Sequence, residues 1–337
     1  MNSPNTFKTS QILLPIAIGL VVIVWLFARE FDTNTFDGLS LSIHSVAYLL
    51  LALLLMLGRD IGLIWRFRML SNRNLSWHQS FNIHILNEFT SAVTPSAVGG
   101  SALVVLFLHK EGIGLGRSTA IMITNLFLDE LFFVLICPLV FLLVPLEVLF
   151  NTSTLLTASI GVVFWSVYGV LMVWTTVLFI GPFIRPDWIS KFMMLVFKLP
   201  FLNRWHSKMY TFSESLLHAS HVISSKPIAF WVQSFAITSM SWTSRFLVTN
   251  ALFMAFTPIA NHFVIFGRQL MLWMVMVVSP TPGGSGISEI TFKAYYSDLL
   301  LGSGTVLIVI LLLRLISYYL YLLIGVIIIP KWIARVF

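Results

Sequence analysis

Ile121-Met122-Ile123-Thr124-Asn125-Leu126-Phe127-Leu128-Asp129-Glu130-Leu131-Phe132-Phe133-Val134-Leu135-Ile136 is the stretch whose reading decides the fold. Together with its apolar flanks (118–144) it is long enough to cross a bilayer, which needs about 20 apolar residues. Two adjacent acids nevertheless stand at its centre. Insertion scales charge about 2.5–3.5 kcal/mol for an ionised group there, while each apolar neighbour returns about 0.3–0.6 kcal/mol. The helix can therefore enter a membrane, but Asp129 and Glu130 then need partners or protons.

Composition extends that reading to the whole chain. Of 337 residues, 58% are hydrophobic and 10% charged. Soluble domains carry about a quarter charged residues and under half apolar ones, so no single aqueous core could hold these side chains. This is an all-α, polytopic integral membrane protein. Lys plus Arg number 20 against 13 acids, but the basic residues gather just beyond apolar runs, so the excess reports topology and no nucleic-acid partner is expected. Cys137 is the only cysteine, which excludes an intramolecular disulfide or a thiolate metal cage. His218 and His221 stand three apart without a third ligand, and neither metal nor cofactor is expected.

A window of about 19 residues finds six full spans, at 11–28, 43–58, 118–144, 155–181, 227–256 and 302–329. The first reads as a retained helix, since Ala28 is followed by Arg29-Glu30-Phe31 and not by a cleavage site. Arg59, Arg66, Arg68 and Arg73 after the second span, Lys191 to Lys226 after the fourth, and Lys331 and Arg335 at the end place both termini in the cytoplasm. Asn151-Thr152-Ser153, on the outer side, fits a glycosylation sequon.

Two further apolar regions are broken by Pro and Gly. The first break is Thr94-Pro95-Ser96-Ala97-Val98-Gly99-Gly100; the second is Pro280-Thr281-Pro282-Gly283-Gly284-Ser285-Gly286. Each is expected to form a re-entrant hairpin, from opposite faces, although two full crossings would satisfy charge parity equally. Each carries Thr-Pro followed by Gly-Gly, and Arg59 stands at nearly the same offset from Arg245. The pattern suggests an inverted repeat within one membrane domain (1–337), with halves 43–144 and 227–329 joined by an amphipathic cytoplasmic segment, 186–226.

The candidate site follows from the charges. Arg245, Arg268 and Arg314 stand centrally in later spans, and Glu289 lies about two turns down any helix starting at Pro282. Backbone N–H groups at Gly99-Gly100 and Gly283-Gly284, at helix N-termini, would suit an anion, and phosphate is the natural anion at a membrane. Thr94, Pro95, Gly99, Gly100, Arg245, Arg268, Pro282, Gly283, Gly284, Glu289 and Arg314 are thus the candidate substrate contacts. Glu88, Asp129 and Glu130 are candidates to balance charge or relay protons. A bundle whose charges only bind one another is the plain alternative. Nothing here resembles a P-loop, a nucleophile elbow or a dinucleotide fingerprint; Gly112-Ile113-Gly114-Leu115-Gly116 lacks a preceding strand.

At the two breaks the chain resembles the lysylphosphatidylglycerol synthase transmembrane region, or flippase-like domain family. The likeness rests on Thr94 to Gly100, the turn Lys110-Glu111-Gly112-Ile113, Pro280 to Gly286 with Glu289, and Arg314 before Tyr318-Tyr319. Members related to the multiple peptide resistance factor carry this region ahead of a soluble aminoacyl-transferase domain, and the membrane part is thought to move the lipid product between leaflets. This chain stops at Phe337, so aminoacyl-lipid synthesis is not carried over. The resemblance implies a stand-alone lipid translocase of a prokaryotic cytoplasmic membrane.

The expected function is passage of a phospholipid or polyprenyl-phosphate headgroup through a polar groove, without enzyme activity. Replacing Arg268 or Glu289 by Ala would then abolish transport and spare expression. Rivals are a proton-coupled transporter of a small anion, an intramembrane headgroup transferase with His84 or Glu88 as base, and a membrane subunit of a larger complex. Expected partners are membrane lipids, with a second copy of the chain or a lipid-synthesis enzyme as the protein partner.

Overall fold

The computed structural model describes residues 42–336 apart from 95–96, 151–154, 186, 189–190, 192–193, 196–205, 259–260, 282 and 300–302. The expected span 11–28, Pro95, Pro282 and the Asn151 sequon lie outside the described residues. Those described form helices and connecting turns. In chain order they are α1 (Ile43–Leu70), α2 (Trp77–Val93), α3 (Ala97–Lys110), α4 (Leu115–Leu143), α5 (Leu146–Phe150), α6 (Leu155–Phe179), α7 (His206–Ser224), α8 (Ile228–Met254), α9 (His262–Met276), α10 (Ile287–Tyr296), α11 (Ser303–Arg314) and α12 (Leu320–Val336). A π-helical turn, Ile180–Ile184, follows α6, and another, Leu315–Tyr319, joins α11 to α12.

Four helical stretches are long and apolar enough to cross a membrane: Ile43–Leu70, Leu115–Leu143, Ser159–Ile184 and Thr305–Val336. The helix expected at 227–256 forms as α8 but falls outside that group, because Ser234, Thr238, Ser241, Arg245, Thr249 and Asn250 interrupt its apolar surface. Its hydroxyls are satisfied locally: Ser234 donates to Phe230 O at 2.7 Å, Thr238 to Ser234 O at 2.9 Å and Ser241 to Ile237 O at 2.8 Å. Such back-bonding lets a polar stripe face another helix without stranded donors.

That stripe faces α1, and the α1–α8 seam is the most extensive helix pairing among the described residues. Gly58 and Gly62, four apart on α1, make it close. A Cβ on Gly62 would stand 2.1 Å from Ser241 Oγ. Small residues at this spacing let helices approach within lipid, where packing replaces the hydrophobic effect as the driving force.

The second span does not end at residue 58. Helix α1 continues to Leu70, so Arg59 and Arg66 are buried inside the bundle instead of lying in a loop. It stops where Asn72 and Arg73 adopt left-handed φ of 56° and 62°. Helix α2 then starts on a capping box, Gln79 N donating to Ser76 Oγ at 3.1 Å and Ser76 N to Gln79 Oε1 at 2.8 Å.

Around the two breaks, α2 packs on α3 and α9 on α10. Gly99 and Gly100, read as part of the first break at a helix N-terminus, lie in the first turn of α3, where a Cβ on Gly100 would meet Ser91 Oγ at 2.0 Å. Close helix approach explains Gly100. The linking segment is described from His206 as α7, whose Ser213, Leu216, Ala219 and Ile223 are buried and which packs on α4.

Candidate functional site

Among the described residues the candidate arginines and acids fall into four groups, which their hydrogen bonds separate. A guanidinium has five N–H donors. Arg268 on α9 uses every one: Nε and Nη2 donate to Val148 O at 3.0 and 2.8 Å, Nη1 to Tyr295 O at 2.9 Å, and Nη1 and Nη2 to the two oxygens of Asp298 at 2.5 and 2.8 Å. It is 2% exposed. This side chain ties α9 to α5 and to the end of α10, with no donor left for a ligand. Tyr295 reinforces the tie, its hydroxyl donating to Leu149 O.

Arg314 closes the second break. Its Nε donates to Glu289 Oε1 at 2.7 Å, its Nη1 to Gly283 O at 3.0 Å, and its Nη2 to Ser288 Oγ. Glu289 is not two turns into a helix. It is the third residue of α10, whose preceding Gly286 N donates to Glu289 Oε2 at 2.8 Å. The carboxylate thereby occupies a helix N-terminus that was expected to hold an anion. Gly283, Gly284 and Gly286 have φ of 57°, 68° and 85°. A Cβ on Gly283 would also stand 2.2 Å from Tyr318 Cε2. Tyr318 joins the breaks, since Ser285 Oγ donates to its hydroxyl at 3.3 Å and that hydroxyl donates to Ala92 O at 3.3 Å. Thr94 finishes α2 with its hydroxyl turned back onto Thr90 O at 2.7 Å.

Asp129 finds its partner where none was sought. It receives Arg66 Nη1 and Nη2 at 2.6 and 2.9 Å and Trp242 Nε1 at 2.7 Å, while Arg66 Nη1 also donates to Thr238 at 2.9 Å. None of Arg245, Arg268 and Arg314 pairs with it. The result is a tie among α1, α4 and α8. Glu130 stays half-buried with no hydrogen bond among the described residues.

The fourth cluster lies between α1, α2, α8 and α12. Arg59 Nη2 donates to Glu88 Oε1 at 2.6 Å and its Nη1 to Asp60 Oδ1 at 3.0 Å and to the Tyr321 hydroxyl at 3.3 Å. Asp60 also receives Tyr321 OH at 2.6 and 2.7 Å and pairs with His84 Nε2 at 3.1 Å. Arg245, across the seam on α8, lies within the electrostatic reach of Arg59, Glu88, Asp60 and Tyr321. It makes no hydrogen bond or ion pair among the described residues, and its Nη1 is buried without an acceptor. Its Cζ stands 5.9 Å from the centre of the Trp242 ring. His84 Nδ1 and Asn87 Oδ1, at one face of α2 with Glu88, are likewise buried and unpartnered.

A buried cation without a partner is expensive, and native structures rarely keep one without a reason. Among the described residues the Arg66–Asp129 group keeps one buried unused donor, Arg66 Nε, and the Tyr319 hydroxyl near Arg314 is also unpartnered, but only this fourth group combines a cation free of any ion pair with further unpartnered polar atoms, His84 Nδ1 and Asn87 Oδ1. Sequence reasoning named Arg245 and Glu88 but missed Asp60, Arg66, Asp298 and Tyr321 as partners. Only the similar offsets of Arg59 and Arg245 hinted that they belong together.

The comparisons with known proteins agree with this membrane architecture. A family model described as the lysylphosphatidylglycerol synthase TM region matches residues 12–325. A UPF0104 membrane protein of Archaeoglobus fulgidus is 27% identical over 322 residues, covering 92% of this chain and 94% of that protein. The chain belongs to the lysylphosphatidylglycerol synthase transmembrane-region family.

Proposed function

We propose that this family member is a lipid translocase of a prokaryotic cytoplasmic membrane, with both termini in the cytoplasm, moving a phosphate-bearing headgroup between leaflets while its acyl chains stay in the bilayer. The observation that carries the reading is Arg245, a buried guanidinium with an unused donor, together with His84 Nδ1 and Asn87 Oδ1, buried and unpartnered on the α2 face that carries Glu88. A phosphate oxygen would satisfy the donor with a charge-assisted bond, and headgroup hydroxyls or an amine would satisfy the acceptors. Phospholipids and polyprenyl phosphates both present such groups. Arg59 is already held by Glu88 and Asp60, so it does not compete with Arg245 for the ligand. Nothing in this set forms a nucleophile, base and orienter, so no covalent chemistry is proposed.

The test is leaflet exchange of headgroup-labelled lipids in liposomes, read by dithionite or enzymatic accessibility. Losing a charge-assisted hydrogen bond worth about 1.5–3 kcal/mol predicts roughly ten- to hundredfold slower exchange for Arg245→Gln. Exchange at the parent rate in a folded variant would end the assignment.

One observation favours a second reading. His84, Asp60 and Tyr321 form a chain of titratable groups ending at the Arg59–Glu88 pair. A proton-coupled small-anion transporter would use it, and uptake would then collapse with the proton gradient.

A further inference from the structure

An open crevice of about 770 Å³ lies where α1 ends and α8 begins, with Trp65, Arg68, Arg73, Trp77, Lys226 and Phe230 in its lining. Three of these carry positive charge and none is acidic. The cations are arranged over aromatic faces, Arg68 standing 5.0 Å from the Trp77 ring centre and Lys226 5.8 Å from that of Phe230. Arg68 also donates to Leu75 O at 3.3 Å, which fixes the turn beneath the crevice. Arg73 reaches the lining from a left-handed backbone, a conformation that costs a non-glycine residue about 1–2 kcal/mol.

What lies below the crevice identifies its occupant. On α1 the exposed residues Leu50, Leu54, Leu57 and Ile61 form one stripe that runs up to Trp65, and on α8 Ile228 and Val232 are exposed beside the opening. A basic rim with tryptophans above an unbroken apolar stripe is the chemistry of the boundary between headgroups and acyl chains. A soluble phosphate would use only the rim. A lipid uses both.

We propose that this crevice binds the headgroup of an anionic phospholipid at the membrane surface, its phosphate between Arg68, Arg73 and Lys226 and its chains along the α1 stripe. The site is separate from the Arg245 cluster, since Phe230 and Arg245 stand about 22 Å apart along α8 at 1.5 Å per residue. Its existence does not depend on transport. Where transport occurs, the α1–α8 seam connects the two positions.

The test is lipid retention by the purified full chain in detergent, read by native mass spectrometry during titration with phosphatidylglycerol or phosphatidylcholine. A basic residue beside an anionic headgroup contributes about 1 kcal/mol, or roughly fivefold in affinity. Arg73→Gln and Lys226→Gln are each expected to weaken phosphatidylglycerol retention about fivefold, and the pair about twenty-five-fold, with phosphatidylcholine unaffected. Neither side chain holds the fold, so the variants keep their melting temperature. Arg245→Gln is read by leaflet exchange and not by retention, so failure of the transport reading and failure of this surface site are told apart. Unaltered phosphatidylglycerol retention in the double variant, or equal loss of phosphatidylcholine, would overturn the proposal. Displacement of phosphatidylglycerol by equimolar glycerol phosphate would overturn it in favour of a soluble-phosphate site.

Discussion

Arg268 and Arg245 are both arginines buried in apolar helices of the same bundle, and they stand in opposite conditions. Around Arg268 every donor is used, by Asp298 and two backbone carbonyls. Around Arg245 the nearest acids, Glu88 and Asp60, are already engaged by Arg59 and Tyr321. The difference shows that intramembrane charge is not in itself a mark of ligand binding. What distinguishes a site is the capacity left after the protein has satisfied itself.

Stability measurements can break or sharpen the contrast. Arg268→Ala frees Val148 O and Tyr295 O and empties a buried site, while Asp298, 41% exposed, is rehydrated, so thermal unfolding in detergent should show a loss of about 3 kcal/mol. That outcome replaces the expectation that this variant would express normally and fail only in transport. Gly283→Ala should cost about 2–3 kcal/mol, because a left-handed φ and the Tyr318 ring both oppose a methyl group. Tyr318→Phe removes two long hydrogen bonds joining the breaks, and a loss near 1 kcal/mol is expected from the same melts. Arg245→Gln should sit at the bottom of this series, unfolding within about 0.5 kcal/mol of the parent while leaflet exchange falls. A destabilisation as large as that of Arg268→Ala would mean that Arg245 is structural too, and the contrast would dissolve.

How legible all this was from sequence depends on the range of the interaction. The apolar stretch around Asp129 and the breaks near Thr94 and Pro280 are local patterns, and helices Leu115–Leu143, Trp77–Val93 and His262–Met276 lie close to where those patterns put them. Helix α1 was cut short at residue 58 because a hydropathy window counts Arg59 and Arg66 as loop charges. Their neutralisation comes from Glu88 and Asp129, far along the chain, and no local window contains that information. Glu289 was misread for the opposite reason, since the local signal was present: Gly286 followed three residues later by Glu is the pattern of a capped helix start. Asp298 stands in a polar turn after α10, where nothing in its neighbourhood announces Arg268 as its partner.

The burial of Arg59 and Arg66 has a further consequence in the order of synthesis. Both arginines leave the ribosome with α1, before Glu88 and Asp129 have been translated. With only Asp60 beside Arg59 as a local acid, they meet the insertion machinery as positive charges following an apolar segment, the signal that helps to orient a helix. In the finished molecule the same two residues are interior ties to α2 and α4. One pair of side chains thus serves biogenesis first and architecture afterwards, and the later helices complete α1 by bringing the counter-charges that let its second half be buried.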